Sequence, residues 1–141
     1  MEENDVRHLV LERFWKSFAA KDVDGAVACF ADDIEYEDLC IEHVAKGRAE
    51  VLGLWQAWFE AAGDSFVAEL DNAVIGTDGY ALEWTVRGRM NGAFGTIQGT
   101  GQPFEVRGTS VGRVADGAIV RNRDYWNMAS ILRQLGVTEL P

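Results

Sequence analysis

The sequence predicts an α+β fold in which a curved, mostly antiparallel sheet carries helices packed on its concave face. Two observations lead there. Apolar residues recur at three- and four-residue steps up to about residue 62 and again after Asn127, but at two-residue steps from Phe66 to Trp126. The resulting order is helix, helix, strand, helix, four strands, helix, and such segregation belongs to α+β architectures rather than to alternating βαβ windings. A chain of 141 residues that is 48% apolar is enough for one packed core, so a single domain over residues 1–141 is expected.

From about Asn4 to Ala20, Val6, Leu9, Val10, Phe14, Ser17 and Phe18 form one helical stripe, with Arg7, Glu12, Arg13 and Lys16 mostly off it. Lys21-Asp22-Val23-Asp24-Gly25 reads as a turn, and Asp24 as the cap of a short second helix running through Phe30. After Ala31-Asp32-Asp33 the chain alternates over Ile34–Leu39, with Ile34, Tyr36 and Asp38 on one face and Glu35 and Glu37 on the other. A third helix, about Arg48 to Ala62, aligns Val51, Trp55, Trp58, Phe59 and Ala62 and closes at Gly63. Strands are expected over Phe66–Ile75, Tyr80–Met90, Phe104–Ala115 and Ala118–Trp126, and Asp116-Gly117 between two alternating runs is a strong hairpin signal. Asn127 caps a last helix whose stripe is Met128, Ile131, Leu132 and Leu135 and whose stop is Gly136.

Charge excludes several classes of partner. Thirteen Lys and Arg against 23 Asp and Glu give a net charge of −10, and all of that surplus lies in residues 1–70. An acidic surface repels phosphate backbones and anionic lipid, so neither nucleic acid nor a membrane is an expected partner. No apolar run approaches the roughly 20 residues of a membrane span, and the Met-Glu-Glu-Asn-Asp start is unlike a secretory leader. Two cysteines, Cys29 and Cys40, suit a reduced cytoplasmic setting, with Cys29 read as buried packing on the short helix. With His8 and His43 the only histidines and no Asp-x-Asp-x-Asp-Gly loop, no metal site and no cofactor are expected. The glycine-rich Gly92–Gly101 stretch lacks the lysine and following helix of a phosphate cradle, and a lid or extended hairpin suits it better.

Strand parity locates the candidate site. Arginines are cheaper to solvate than to bury, so in Ala118–Trp126 the face of Arg121, Arg123 and Tyr125 looks outward, and Val120, Asn122, Asp124 and Trp126 look inward. In Tyr80–Met90, Glu83, Thr85, Arg87 and Arg89 go outside, and Leu82, Trp84, Val86 and Met90 inside. In Phe104–Ala115, Glu105, Arg107 and Arg113 go outside, leaving Val106, Gly108, Ser110 and Gly112 inside. Two acids, Asp38 and Asp124, then stand on otherwise apolar inner faces. Tyr36, Asn122, Ser110 and His43 join them as polar members of a pocket walled by Phe14, Trp15, Trp84, Met90 and Trp126. Burial among aromatics and a second carboxylate nearby both raise a carboxyl pKa, which suits such a group to acid/base work near neutrality.

The Asp22-Val23-Asp24-Gly25-Ala26-Val27 and Phe30-Ala31-Asp32-Asp33 passage, together with the tail from Gly117 to Gly136, resembles SnoaL-like proteins of the nuclear transport factor 2-like superfamily. That resemblance covers nearly the whole chain and implies a cystatin-like α+β cone. The superfamily it implies holds polyketide cyclases, epoxide hydrolases, ketosteroid isomerases and many non-enzymes. Arg123-Asp124-Tyr125-Trp126 is similar to the Arg-Asp-Tyr-Phe stretch of limonene epoxide hydrolases, whose Asp activates water, and the acid/base Asp of SnoaL-type aldol cyclases falls on Asp124 as well. Tyr36 resembles the hydrolases' water-positioning Tyr. Asp38, where they carry Asn, resembles the proton-shuttling Asp of the isomerases within a similar Glu-Asp pair. The departures are specific: the hydrolases' inward Arg and second Asp fall on Trp84 and Val86. The isomerases' oxyanion Tyr falls on Phe14, and their protonated Asp falls near Thr109 or Ser110.

The expectation is therefore a cofactor-independent enzyme of aldol-cyclase or isomerase type acting on a small hydrophobic, oxygen-bearing ligand. Asp124, Asp38 and Tyr36 are its catalytic candidates. Epoxide hydrolysis ranks lower, because Trp84 and Val86 cannot donate a proton to the leaving oxygen. The competing expectation is a ligand-binding or dimerisation module without chemistry, its charge-laced outer sheet face pairing two copies as a homodimer.

Overall fold

The computed structural model describes residues 3–93 and 98–137. Its elements are α1 (Glu3–Ala19), α2 (Val23–Val27), β1 (Phe30–Asp38), β2 (His43–Lys46), α3 (Arg48–Ala62), a 3-10 turn (Gly63–Ser65), β3 (Val67–Ile75), β4 (Tyr80–Met90), β5 (Gln102–Ala115), β6 (Ala118–Trp126) and α4 (Met128–Gln134). The strands form one curved, unclosed sheet in the order β2-β1-β6-β5-β4-β3. Every neighbouring pair is antiparallel except β1 and β6, which run parallel with Tyr36 beside Asn122 and Asp38 beside Asp124. That parallel pair brings two residues 86 positions apart to the same height on the same face.

The helices cover this face through aromatic contacts. Phe14 of α1 stands 5.4 Å from Phe30 of β1 and 5.9 Å from Trp55 of α3, ring centre to ring centre, and Trp55 in turn meets Phe18 and Tyr36. Pairs of this kind add about 0.5–1.5 kcal/mol each beyond the apolar area they bury. Asn127 caps α4 as expected, its side chain accepting from the Ser130 amide at 3.1 Å. Gln134 then ties that helix to β5 by exchanging 2.7 Å bonds with the Glu105 backbone. At the β5–β6 hairpin, Asp116 and Gly117 both adopt positive φ (51° and 76°), as the Asp-Gly pair predicts for a two-residue turn.

Four local readings change. Asp22, not Asp24, caps α2, accepting from the Gly25 amide at 3.1 Å. That helix ends at Val27, and Phe30 opens β1 instead, because Ile119 of β6 pairs with it there; the register then shifts before Glu35, which hides the alternation of Ala31-Asp32-Asp33. The four-residue edge strand β2 carries no alternating apolar signal and escapes prediction. The face of α1 is rotated: Leu9 is exposed, whereas Leu11 and Arg7 are buried, with the Arg7 guanidinium donating to the Thr77 carbonyl at 3.2 Å in the β3–β4 turn.

On β6 an extra residue at Val120 lets both Ile119 and Asn122 face inward, so Ile119 is fully buried and Val120 only partly. Beyond the bulge, parity holds as expected. Thr85, expected outside, is on the outer face but buried, donating to Asp71 at 2.6 Å. The outer face carries cross-strand ion pairs, Arg87 with Glu69 and Glu105 and Arg123 with Glu37. These are exposed enough to contribute only about 0–1 kcal/mol each. The lid-or-hairpin expectation for Gly92–Gly101 falls in part on residues 94–97, which lie outside the described residues, and Gly101 bonds back to the Met90 carbonyl at 2.9 Å.

Candidate active site

Three rows of side chains run across the inner face, each set by strand register. One row is Asp38, Asp124, Ser110 and Leu82, and the next is Tyr36, Asn122, Gly112 and Tyr80. The third is Trp126, Gly108 and Trp84. The two glycines are there for reach. A Cβ on Gly108 would stand 2.3 Å from the Trp84 ring, and one on Gly112 would stand 2.3 Å from the Tyr80 hydroxyl. Without those methyl groups, Trp84 and Tyr80 lie sideways across β5 and touch the acid network beyond it.

That network converges on Asp124. Its Oδ1 accepts from the Ser110 hydroxyl at 2.6 Å and the Asn122 amide at 2.8 Å, while Tyr36 donates to Oδ2. Each of the Oδ1 donors is itself oriented by a further donor: the Trp84 indole bonds Ser110 Oγ at 2.9 Å, and the Tyr80 hydroxyl bonds Asn122 Oδ1 at 2.8 Å. Asp124 receives three hydrogen bonds, an arrangement that fits the carboxylate form. Burial nevertheless dominates and lifts its pKa to about 6; the Ser110, Tyr36 and Asn122 bonds pull it down, and the charge of Asp38 pushes it further up.

Asp38 is bound differently. Its Oδ1 accepts from the Cys40 and Ile41 amides at 3.0 and 3.3 Å, and both oxygens share the Trp126 indole N–H at 2.9 and 3.0 Å. Burial raises its pKa, opposed by Trp126, by the two amides and by His43 across the β1–β2 pair. The Tyr36 hydroxyl is held far above its ordinary range by burial and by the Asp124 charge, so it is a proton donor in hydrogen bonds rather than an anion.

Above these acids lies a cavity of about 690 Å³ of atom-free space, mouth included. Tyr36, Asp38, Asp124, Ser110, Phe14, Trp15, Trp84 and Trp126, all expected in the pocket, do line it. Three expected members do not. Met90 is fully buried at the end of β4 and packs in the core. His43 is exposed at the edge of the sheet and reaches the site only through its charge on Asp38. Asn122 is buried behind Asp124 and acts on it without facing the cavity. Sequence reasoning missed the contribution of α3, whose Leu54, Trp55, Trp58 and Phe59 form much of the roof. Trp55, Trp58 and Phe59 lie on the helical stripe that the sequence predicts, but a stripe reads the same whether it covers a core or a hollow. Tyr80 also escapes sequence reasoning, since its reach depends on Gly112 opposite.

A family model described as SnoaL-like polyketide cyclase matches residues 8–135. The chain belongs to this family. No curated protein matches it. Among solved structures, this SnoaL-like chain is similar to a candidate SnoaL-like polyketide cyclase from Jannaschia sp. CCS1, with a TM-score of 0.86, 13% identity, and coverage of 99% of this chain and 98% of that one. It is also similar to AclR, a candidate hydroxylase from Streptomyces galilaeus (TM-score 0.82, 23% identity, 99% and 91% covered). A third is IdmH, a candidate polyketide cyclase from Streptomyces antibioticus (TM-score 0.77, 24% identity, 91% and 96% covered). At such identities the likeness establishes the fold, a nuclear transport factor 2-like cone, and the SnoaL-like family membership rests on the sequence match.

Proposed function

We propose that this protein is a cofactor-independent acid/base enzyme that moves a proton next to a carbonyl group, in an aldol-cyclase or isomerase type of reaction, with Asp124 as the proton carrier. The observation that carries this reading is the placement of the Asp124 carboxyl at the base of an aromatic cavity, beside Tyr36 and Ser110. Because Oδ1 already takes two bonds and Oδ2 one, Oδ2 is the oxygen with room for a substrate proton. A substrate C–H bond breaks, its proton goes to Asp124 Oδ2, and the electron pair moves to the carbonyl oxygen. Once protonated, Oδ2 can donate to the Tyr36 oxygen, and the Tyr36 O–H is then free to turn toward the developing oxyanion. With a pKa of about 6, Asp124 takes a proton readily and returns it readily near neutral pH.

Epoxide opening is less well supported. Trp84 and Val86 both face the cavity, and among the described lining residues no Lys, Arg or His is present to stabilise the charge on a leaving oxygen.

The reading is tested by hydrogen–deuterium exchange alpha to the carbonyl in a panel of small ketones and 1,3-dicarbonyls, followed by NMR. Wild type accelerates exchange, and Asp124→Asn slows it by roughly 10²–10⁴-fold, the usual contribution of a positioned general base. An unchanged rate in Asp124→Asn overturns the assignment. Ligand binding that survives the Asp38→Asn/Asp124→Asn double change, with no exchange by wild type on any substrate, would establish the non-catalytic binding module instead.

A further inference from the structure

The cavity is more acidic than proton transfer requires. One carboxylate suffices to carry a proton, yet a second, Asp38, is buried beside it, and a buried ion costs several kcal/mol unless something compensates it. Its three N–H donors compensate in part, but Oδ2 has only a share of one indole N–H. None of the described lining residues is Lys, Arg or His, and the charge of His43 acts on Asp38 from the exposed sheet edge, outside the cavity.

The walls have a matching character. All five tryptophans of the chain line this one cavity: Trp15, Trp55, Trp58, Trp84 and Trp126. Indole faces carry negative potential and attract cations, most strongly where water is excluded. Two of these indoles are tied to the acids, Trp126 directly to Asp38 and Trp84 through Ser110 to Asp124. An N–H bonded to an anion pushes electron density onto its ring and strengthens that attraction. The cavity also has free space. It has room for a group larger than a single water molecule. The net −10 of residues 1–70 would also draw a cation toward the site.

We propose that the cavity binds the alkylammonium group of a cationic small molecule, held by the tryptophan walls against Asp38. This deepens the acid/base reading and rests on it for the reaction: Asp38 anchors the positive end while Asp124 moves the proton. Binding of the cation is a separate property and can be measured alone.

The test compares choline with 3,3-dimethyl-1-butanol, its uncharged counterpart of the same shape, by calorimetric titration and tryptophan fluorescence at pH 8. Choline is expected to bind wild type at least tenfold more tightly than the neutral alcohol. Asp38→Asn is expected to remove most of that preference while leaving the weak binding of the alcohol unchanged, and Asp124→Asn to keep a preference for choline although exchange activity is lost. Equal binding of the two probes to wild type, tighter binding of the alcohol, or no choline binding at tens of millimolar overturns the proposal, and needs no variant to fold. Each of those results leaves the assignment of Asp124 standing. Conversely, undiminished exchange in Asp124→Asn removes the proton-transfer reading and leaves the charge preference intact.

Discussion

Replacing Asp124 by Asn is expected to make the protein more stable at alkaline pH, although it removes the proposed proton carrier. In the folded chain the Asp124 carboxyl holds its proton up to about pH 6, against an ordinary value of 3.8. The folded state therefore binds more protons than the unfolded state between those values. The stability this provides is fully present below about pH 4 and is lost as pH rises through 6. A gap of about two pH units corresponds to about 3 kcal/mol, an upper figure because other groups facing the carboxyl relax with it. Those groups are Asp38 on β1, whose charge repels it, and Tyr36 and Tyr80, both too high in pKa to ionise in this range. An Asn amide has the same shape and no charge. Its oxygen can accept from Ser110 and Asn122, and its NH2 can donate to the Tyr36 oxygen once that hydroxyl turns. Urea melts of both proteins at pH 4 to 8 read the difference directly, and effects of distant charges cancel in it. The variant's advantage should rise from near zero at pH 4 to about 2–3 kcal/mol at pH 8, or roughly 5–10 °C in Tm. A variant less stable than wild type at pH 8, or an advantage that does not change with pH, would refute the claim that burial rather than pairing dominates this carboxyl.

Three further outcomes are expected. Tyr36→Phe removes the donor to Asp124 Oδ2, so the acid limb of the exchange pH profile should move upward and the rate should fall at least tenfold; an unmoved profile would mean that the hydroxyl is only packing. Gly108→Val places carbon where the Trp84 ring lies, which should expel the indole from Ser110, cost about 1–3 kcal/mol and abolish ligand-induced stabilisation of the fold; retained ligand binding would show that Trp84 does not shape the cavity. We also propose that the outer sheet face joins two copies, since Val111 and Tyr125 are both exposed there amid the charge pairs. Sedimentation should then show a dimer that Val111→Glu converts to monomer, and a monomeric wild type would end that idea.

Much of the architecture is legible because bulky alternation is hard to mistake. β4 and β6 begin and end where their period-2 runs do, and Gly63, Asn127 and the Asp116-Gly117 pair mark boundaries through backbone chemistry alone. What was hidden depends on partners distant in sequence. β1 starts at Phe30 only because Ile119, 89 residues later, pairs with it, and β2 exists only as an edge laid against β1. The phase of α1 is hidden in the sequence because Arg7 looks like a surface residue until the β3–β4 turn supplies the carbonyl it bonds.

The candidate site shows the same division more sharply. Parity alone selected Asp38, Tyr36, Ser110, Asn122 and Asp124 as neighbours on one face, since their strand positions determine which way they point. Parity does not determine depth, so it assigns Met90 to a cavity wall although the side chain packs in the core. Nor does it reveal lateral reach. Trp84 and Tyr80 enter the acid network by lying across glycines on the adjacent strand, and in a linear sequence Gly108 and Gly112 read merely as small residues in a strand. Glycine in a strand interior weakens it, so two on the same inward face call for a reason beyond stability. The donors they admit orient Ser110 and Asn122 toward one carboxylate oxygen and leave the other to Tyr36 and the cavity. An acid serving only to hold strands together would gain nothing from that asymmetry. A proton carrier would, because it keeps one oxygen fixed while the other exchanges.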